Sequence, residues 1–305
     1  MKRERKAPAV SQPPSREPHA VARRVVRELE EADRARGLEL LSTDPLQGVH
    51  LRSQIEDYGI RSPKHRGLLF GCFEDDRLAG VALLGHAILL FTTPESEDAL
   101  LRCFARTAAE VRAEGHVIFG PRHQVETFWL HLARLGRETR LANNHLWYVC
   151  EEPRLPLERL QMQKAGLEEL DIVAEAQAEM VREESGIDPR IADPEGYRRR
   201  AAERIERGRT WVKIEDGRVV FKAELQSITP EAIYLEGIWT HPEYRRRGIA
   251  RNCVAELTHR RLNQQQVICL VVEPGELVAR RVYEQAGFYH RGEYQARYLK
   301  PPIEG

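Results

Sequence analysis

The chain has 305 residues, of which 42% are hydrophobic, and this length favours two domains with a core in each. Lysine plus arginine and aspartate plus glutamate both number 47, so the net charge is zero, which argues against nucleic-acid binding as the main activity. No apolar run reaches the ~18 residues of a membrane span, so we expect a cytoplasmic protein without a membrane partner. The five cysteines are widely spaced and show no metal-ligand pattern, so neither a disulfide framework nor a metal site is expected.

The first half of the chain predicts a tail followed by an α/β unit. Residues 1–18 are basic and proline-rich without an apolar period, which is typical of a disordered tail. Apolar residues on one side predict a helix at 20–36, and a second helix is predicted within 38–60. The remaining predictions are strands at 67–74, 77–84 and 88–91, a helix from 93 to about 113, a strand at 116–119, a helix at 124–135 and a strand at 146–150.

A polar segment with two prolines, residues 151–156, predicts a linker to a second unit that we place at 157–305. Asp216-Gly217 between two apolar runs predicts a hairpin turn. The predicted elements are strands at 157–162, 210–214, 219–226, 234–240 and 267–272, helices at 168–182, 194–207, after 248 and at 275–286, and terminal strands near 288 and at 294–299.

The two halves contain a similar segment, which indicates a tandem of related units at 19–150 and 157–305. Residues 73–82 (FEDDRLAGVA) align with residues 214–223 (IEDGRVVFKA), and each segment is followed by a strand, a loop and a helix. The loop in the first half, residues 92–98, is acidic and would repel a phosphate, whereas the matching loop in the second half is basic. We therefore predict that the first unit is a degenerate copy.

The basic loop lies between a β-rich run at 234–240 and a helix, and it contains three consecutive arginines at 245–247 followed by Gly248. Apolar residues recur every four positions after the glycine, at Ile249, Cys253 and Leu257. A helix N-terminus has unpaired N–H groups and a partial positive charge, and glycine permits close approach of the backbone. The loop is either a phosphate site or a solvated basic turn, and charge alone leaves both interpretations open.

Two patterns in this half resemble the GNAT superfamily of acetyl-CoA-dependent N-acetyltransferases. The first is Arg245-x-x-Gly248-x-Ala250, which matches the central motif of that family. The second is the segment 279–288 (ARRVYEQAGF), which matches a downstream Ala-Arg-x-x-Tyr-x-x-x-Gly-Phe pattern. The resemblance covers roughly residues 157–299 and implies two tandem GNAT-like units, each of the α/β (α+β) class with a mixed, mostly antiparallel twisted sheet flanked by helices.

The resemblance also implies roles for individual residues in binding acetyl-CoA as co-substrate. The backbone at Ile238, Trp239 and Thr240 would contact the pantetheine arm, and Tyr283 would protonate the departing thiolate. The alternative for Tyr283 is a tyrosine of the core. The pyrophosphate would be held by the loop and the helix start, at Arg245, Arg246, Arg247, Gly248, Ile249 and Ala250.

The attacking amine must lose a proton, and two glutamates are candidates for the base. Glu236 lies two residues before Ile238, so both should face the same side of the strand, and Glu224 on the neighbouring strand is the second candidate. Either could instead be a structural glutamate. Glu276 stands near a position where the family often has asparagine, and a carboxylate there would weaken binding of an anion.

We therefore expect transfer of an acetyl group to a primary amine by direct attack. The acceptor, whether a small molecule or a peptide amine, and the oligomeric state stay open. The alternative function is a non-catalytic acyl-CoA-binding module, and a nucleic-acid role for the arginines comes third.

Overall fold

The computed structural model describes residues 23–111, 115–156, 161–262, 264 and 266–301. The predicted tail at 1–18 and most of the strand predicted at 157–162 lie outside these residues. The helices and strands of the described residues belong to two halves of the chain. Each half has strands, two or more helices and a strand–helix–strand unit near its end.

In the first half, the strands are β1 (Arg24–Glu28), β2 (Gly67–Glu74), β3 (Arg77–Gly85), β4 (Ala87–Thr92), β5 (Val117–Pro121) and β6 (Thr139–Cys150). The helices are α1 (Arg34–Leu41), α2 (Pro45–Tyr58), α3 (Glu97–Glu110) and α4 (Arg122–Ala133). Asp44 caps α2 by accepting from the N–H of Gln47, and Pro45 occupies the first helical position, where its missing N–H has no cost.

In the second half, the strands are β7 (Gln163–Lys164), β8 (Thr210–Glu215), β9 (Arg218–Ile228), β10 (Ala232–Thr240), β11 (Val267–Val272) and β12 (Tyr289–Leu299). The helices are α5 (Leu170–Ser185), α6 (Pro189–Ala192), α7 (Pro194–Glu206), α8 (Ile249–Leu262) and α9 (Leu277–Ala286). The predicted hairpin turn joins β8 to β9, where Asp216 and Gly217 both have positive φ.

The described strands form one sheet in the order β1-β2-β3-β4-β5-β12-β6-β11-β10-β9-β8-β7. Only the pairs β4–β5 and β10–β11 are parallel, so the sheet is mixed and mostly antiparallel, as predicted. The last strands of the two halves have changed places: β6 pairs with β11 of the second half, and β12 pairs with β5 of the first. The two halves therefore share one continuous sheet.

The element order repeats, which confirms the tandem arrangement predicted from the sequence. Strands β2, β3, β4 and β5 correspond to β8, β9, β10 and β11, and the helices α3 and α4 correspond to α8 and α9. Helices cover both faces of the sheet in each half, and the strands β3 and β9 are therefore buried at successive positions rather than at alternate ones.

Helix α2 of the first half packs on the second half and contacts β9 and β10 through polar side chains. His50 Nδ1 lies 3.0 Å from Ser227 Oγ, and Ser53 Oγ accepts from the N–H of Ile228 at 3.1 Å. Asp57 at the end of the helix pairs with Arg209 at 2.5 Å. The first half thus packs against the central strands of the second half and supports them.

The helix predicted at 20–36 is wrong at residues 24–28, whereas residues 34–36 are helical as the first turn of α1. Residues 24–28 form β1, which pairs antiparallel with β2 and alternates between half-buried and exposed positions. Pairing with a neighbouring strand overrode the weak helical period. The predicted terminal strands near 288 and at 294–299 are one strand, β12, because a bulge near Gly292 lets it continue. Among the described residues the longest helix, α5, has 16 residues, and none combines the length and apolarity of a bilayer crossing.

The junction between the halves passes over the C-terminus of α9, where Gly287 has φ +115°. A Cβ at Gly287 would lie 2.5 Å from the Glu152 carbonyl oxygen, and Arg154 N–H donates to the Ala286 carbonyl at 3.2 Å. The segment that connects the halves is thus held against the end of α9 by a contact that only glycine permits.

We expect Gly287→Ala to lower the free energy of unfolding by about 3 kcal/mol, because it combines an unfavourable φ with a backbone clash. Gly136→Ala is the matched control: its φ is +87°, but a Cβ there meets no atom within 4 Å, so about 1 kcal/mol is expected. Urea unfolding of the two variants measures the difference. Equal losses would contradict the proposed clash at the junction.

Candidate active site

The parallel strands β10 and β11 pair over three residues only and then separate. Ala232, Ile233 and Tyr234 are in register with Val267, Ile268 and Cys269, and beyond them the two strands diverge. β11 keeps its pairing with β6 through to Val272 on its other edge. The divergence leaves a gap in the sheet in which the backbone of β10 from Leu235 onward has no partner on the β11 side.

A bulge in β10 lies beside this gap and changes which side chains share a face. Glu236 pairs with Glu224 on β9 and Trp239 pairs with Lys222, so β10 has one extra residue between them, at Gly237–Ile238, where Gly237 has φ +59°. Ile238 packs in the core under α8 and α9, whereas Trp239 packs against α5 and α7.

The prediction that Glu236 and Ile238 face the same side is therefore wrong. Glu236 lies on the face covered by α5 and α7, and Ile238 on the face covered by α8 and α9, because the bulge inserts a residue into the alternation. The indole of Trp239 is buried away from the α8 and α9 face, and its Nε1 donates to Glu183 at 3.4 Å, so only its backbone can contact a ligand in the gap.

The N-terminus of α8 lies just after the end of β10. Gly248 precedes the helix with φ +76°, and Arg246 is also in the left-handed region with φ +62°. No hydrogen bond within the described residues uses the N–H groups of Ile249, Ala250 or Arg251. These groups are half-buried or exposed, which is the arrangement that binds a phosphate at a helix start.

The three predicted arginines differ in their contacts. Arg245 is already engaged: its Nε donates to the Thr240 carbonyl at 3.0 Å, and its Nη2 contacts Glu183 at 2.6 Å. It thereby ties the end of β10 to the end of α5. Arg246 and Arg247 are exposed, and the guanidinium of Arg247 lies 5.0 Å from the ring centroid of Tyr244. These two are the cations with freedom to reach a bound anion.

Tyr283 on α9 is buried, with 7% of its surface exposed, in the same core cluster as Leu235 and Ile238. Burial raises the pKa of its hydroxyl, and the charges of Glu276 and Glu184 add to the effect. Within the described part of the chain, no hydrogen bond engages this hydroxyl. Tyr283 thus keeps its proton at neutral pH and can donate it to a ligand in the gap.

Glu236 is exposed, and Glu224, Lys222, Arg204 and Glu184 lie near enough to affect its charge. Removal from bulk water is the main cause of its raised pKa, and the charge of Glu224 adds to it, while Arg204 and Lys222 oppose the shift. A carboxyl with a raised pKa is a better proton acceptor near neutral pH than an ordinary glutamate. Glu184 also contributes to the raised pKa, so the end of α5 lies within electrostatic reach.

Glu224, the second candidate base, belongs to a buried ionic cluster. It is 4% exposed, with Oε1 at 3.3 Å from Lys222 Nζ and Oε2 at 3.0 Å from Arg204 Nε. Sequence reasoning missed Lys222 and Arg204. The detectable signal was the pair of charged residues at alternate positions, 222 and 224, in an otherwise apolar strand, since buried charges require partners.

The first half has the same divergence, but a buried glutamine bridges the elements around it. β4 and β5 pair only at Ala87–Val117 and Ile88–Ile118 before they separate. The buried Gln124 donates from Nε2 to Thr92 Oγ1 at 3.1 Å and to Glu97 Oε2 at 2.8 Å, so it joins the ends of β4, α3 and α4. This bridge, together with the carboxylates in the first turn of α3, supports the interpretation of a degenerate copy.

The open gap of the second half can bind an anion at α8 and offers a proton donor and a proton acceptor on its two faces. Within the described residues, no group of three or more His, Cys, Asp or Glu side chains is placed to hold a metal ion. An anion site with a proton donor and a proton acceptor beside it supports acid–base chemistry on a phosphate-bearing ligand.

Comparison with known proteins agrees with this arrangement. Residues 175–288 match the Acetyltransferase (GNAT) family, a range that includes the gap, the basic loop and Tyr283. No curated protein matched the sequence.

Several solved structures share the fold over most of the chain. A GNAT-family acetyltransferase from Colwellia psychrerythraea is 17% identical, with a TM-score of 0.56, covering 90% of this chain and 99% of that one. A GCN5-related N-acetyltransferase from Sphaerobacter thermophilus is 16% identical, with a TM-score of 0.58 and coverages of 92% and 96%.

A tandem GNAT protein from the clavulanic acid biosynthesis pathway is 11% identical, with a TM-score of 0.57, covering 93% of this chain and 100% of that one. Similarity at these identities shows a common fold. The second half therefore matches the GNAT acetyltransferase family over residues 175–288, and the whole chain has the tandem GNAT fold.

Proposed function

We propose that this protein transfers the acetyl group of acetyl-CoA to a primary amine within a ternary complex. The observation that carries the proposal is the gap between β10 and β11, which has a free helix N-terminus beside it, Tyr283 on one face and Glu236 on the other. The coenzyme would enter from the face of α8 and α9, and the amine from the face of α5 and α7.

The coenzyme would bind by two features of the chain. The N–H groups at the start of α8, with the side chains of Arg246 and Arg247, suit the pyrophosphate. The unpaired edge of β10 at Ile238 and Thr240 suits the amides of the pantetheine arm, since that arm can complete the missing ladder. The role of Arg245 is to fix the end of the strand rather than to bind phosphate.

The order of the reaction steps follows from the positions of Glu236 and Tyr283 on opposite faces of the gap. Glu236 takes a proton from the acceptor ammonium, directly or through a water, and the neutral amine attacks the thioester carbonyl carbon. The N–H of Ile238 stabilises the oxyanion as the C–N bond forms. The nitrogen then loses its second proton to solvent, the C–S bond breaks with Tyr283 donating a proton to the thiolate, and Tyr283 regains a proton from solvent. Glu224 is a weaker candidate for the base because two cations already hold its carboxylate.

The acceptor side of the gap carries acidic groups, which favours a positively charged amine. Glu184 is exposed and its pKa is raised, mainly by removal from water, with contributions from Glu183 and Glu273. Within the described residues, neither Glu184 nor Glu273 forms an ion pair. Carboxylates without a cationic partner attract a cation, so we infer that amines are preferred over neutral or anionic acceptors.

The basic loop gives the first prediction that follows from the proposed function. The double variant Arg246→Gln/Arg247→Gln should raise KM for acetyl-CoA about 10-fold, because two partly exposed ion pairs with the pyrophosphate are lost. Acetyl-pantetheine, which lacks the pyrophosphate, should be used equally by wild type and variant. Arg102→Gln/Arg106→Gln on the exposed face of α3 is the control. An equal loss with both donors would contradict a pyrophosphate site here.

The proton donor gives the second prediction. Tyr283→Phe should lower kcat about 100-fold with little change in KM for acetyl-CoA, because the thiolate loses its acid. Thiol release with a panel of amines measures the effect. Tyr289→Phe, which removes an exposed hydroxyl bonded to Glu151, should leave the rate unchanged. Equal rates for wild type and Tyr283→Phe would remove Tyr283 from the mechanism.

The base gives the third prediction. The rate of the wild type should fall as pH drops through the raised pKa of Glu236, since only the ionised carboxylate accepts a proton. This acidic limb should therefore lie above the ordinary glutamate pKa of 4.5. Glu236→Gln should lower kcat about 100-fold and abolish the acidic limb. Glu195→Gln, at an exposed position of α7, is the control, and an unchanged limb in Glu236→Gln would assign the base elsewhere.

One observation favours the alternative, a module that binds acyl-CoA without catalysis. Glu273 and Glu276 are exposed beside the gap, and no ion pair among the described residues neutralises them, so they oppose an anionic ligand. Calorimetry that detects tight binding of acetyl-CoA, together with no thiol release over a broad panel of amines, would support this function.

A further inference from the structure

Lys222 is a fully buried lysine in the middle of β9, with 0% of its side chain exposed to solvent. A buried ammonium is unfavourable unless it is paired, and burial lowers the pKa of Lys222 while Glu224 opposes the shift. A residue that costs stability in this way is expected to serve a purpose beyond packing. Neither the anion site nor the proton transfers described above use it.

The contacts of Lys222 lead to the bulge of β10. Its Nζ donates to the Gly237 carbonyl at 2.9 Å, lies 3.3 Å from Glu224 Oε1 and lies 4.0 Å from Met180 Sδ on α5. Glu224 in turn pairs with Arg204 on α7. A chain of polar contacts thus runs from the bulge through two buried charges to a helix that covers the acceptor face.

Glycine at 237 makes this contact feasible. A Cβ at that position would lie 3.0 Å from Lys222 Nζ, and the φ of +59° is one that side chains disfavour. The ammonium therefore occupies space that any other residue at 237 would need. The contact between Lys222 and the bulge therefore depends on glycine at position 237.

The contact between Lys222 and Gly237 sets the direction of the peptide group that joins Gly237 to Ile238. In a planar trans peptide the carbonyl of residue 237 and the N–H of residue 238 point in opposite directions. Lys222 Nζ lies on the side of the sheet covered by α5, beside Met180 Sδ, and holds the Gly237 carbonyl towards that face. The N–H of Ile238 therefore points away from it, towards the face of α8 and α9 from which the coenzyme would enter. Ile238 has no register partner on β9, which leaves its orientation to the neighbouring carbonyl.

We infer that Lys222 is a positioning residue for acyl transfer: by fixing the Gly237 carbonyl it aims the Ile238 N–H into the gap, where the thioester oxygen would lie. This inference rests on the proposed function. It also links the acceptor-side helix α7 to the oxyanion donor, through Arg204 and Glu224.

The test is Lys222→Met, which keeps most of the length of the side chain and removes the donor and the charge. We expect kcat to fall 10- to 100-fold, whereas the Kd for coenzyme A changes less than 3-fold, because the pyrophosphate contacts are untouched. The acidic limb of the pH profile should move to higher pH, since Lys222 lowers the pKa of Glu236. The other charged groups facing Lys222 are Glu224 on β9, Arg204 on α7 and Glu184 on α5.

Lys213→Met is the matched control. Lys213 lies on the neighbouring strand β8, is largely buried and pairs with Glu215 at 2.9 Å, but it does not contact the bulge. The Lys213→Met variant should have a kcat within 2-fold of the wild-type value. Gly237→Ala is the second variant, because its Cβ would displace the ammonium and should reproduce the loss of kcat if Lys222→Met does not fold.

Three results would overturn the inference. If the wild type is active and Lys222→Met has an unchanged kcat, the positioning role is rejected and the proposed function stays intact. If Lys222→Met does not fold, an unchanged kcat in Gly237→Ala has the same meaning. A parallel loss of coenzyme A binding and kcat would indicate a general structural role. A wild type that binds acetyl-CoA without transferring or hydrolysing the acetyl group would reject the proposed function, and the inference with it.

Discussion

The site depends on the short pairing between β10 and β11. Three register pairs hold the strands together, and the rest of β10 presents an edge with no partner on that side. Unpaired backbone groups inside a sheet are costly, so such a gap persists only if the strands on both sides are held elsewhere. Here β10 is held by β9 and its bulge, and β11 by β6.

The exchange of the last strands gives the first half a role although a glutamine bridges its own gap. The strand that holds β11 open is β6, which belongs to the first half, and all of β11 from Ile268 to Val272 pairs with it. Helix α2 supports β9 and β10 from the face of the acceptor, and Lys64 pairs with Glu203 on α7 at 2.5 Å. The first half thus contributes rigidity to a site whose proposed reacting groups all lie in the second half.

The sequence allowed the fold class, the repeat and most elements to be predicted, because these depend on local period and turn chemistry, as at Asp216-Gly217. It could not predict the exchange of β6 and β12, because either strand can pair with β5 or β11 and only the tertiary structure selects. The face of Glu236 was missed since a bulge at Gly237 shifts the alternation by one residue, and a single glycine does not distinguish a bulge from a weak strand position.

The two gaps of this chain show that side chains, more than backbone, decide whether a site exists. Both pairs of parallel strands diverge after two or three register pairs. In the first half a buried glutamine bridges the gap and carboxylates begin α3, which oppose a phosphate. In the second half, glycine and arginine precede α8 and a buried lysine holds the bulge. The same divergence is therefore structural in one half and available to a ligand in the other, and Lys222, Gly237 and Gly248 mark the difference.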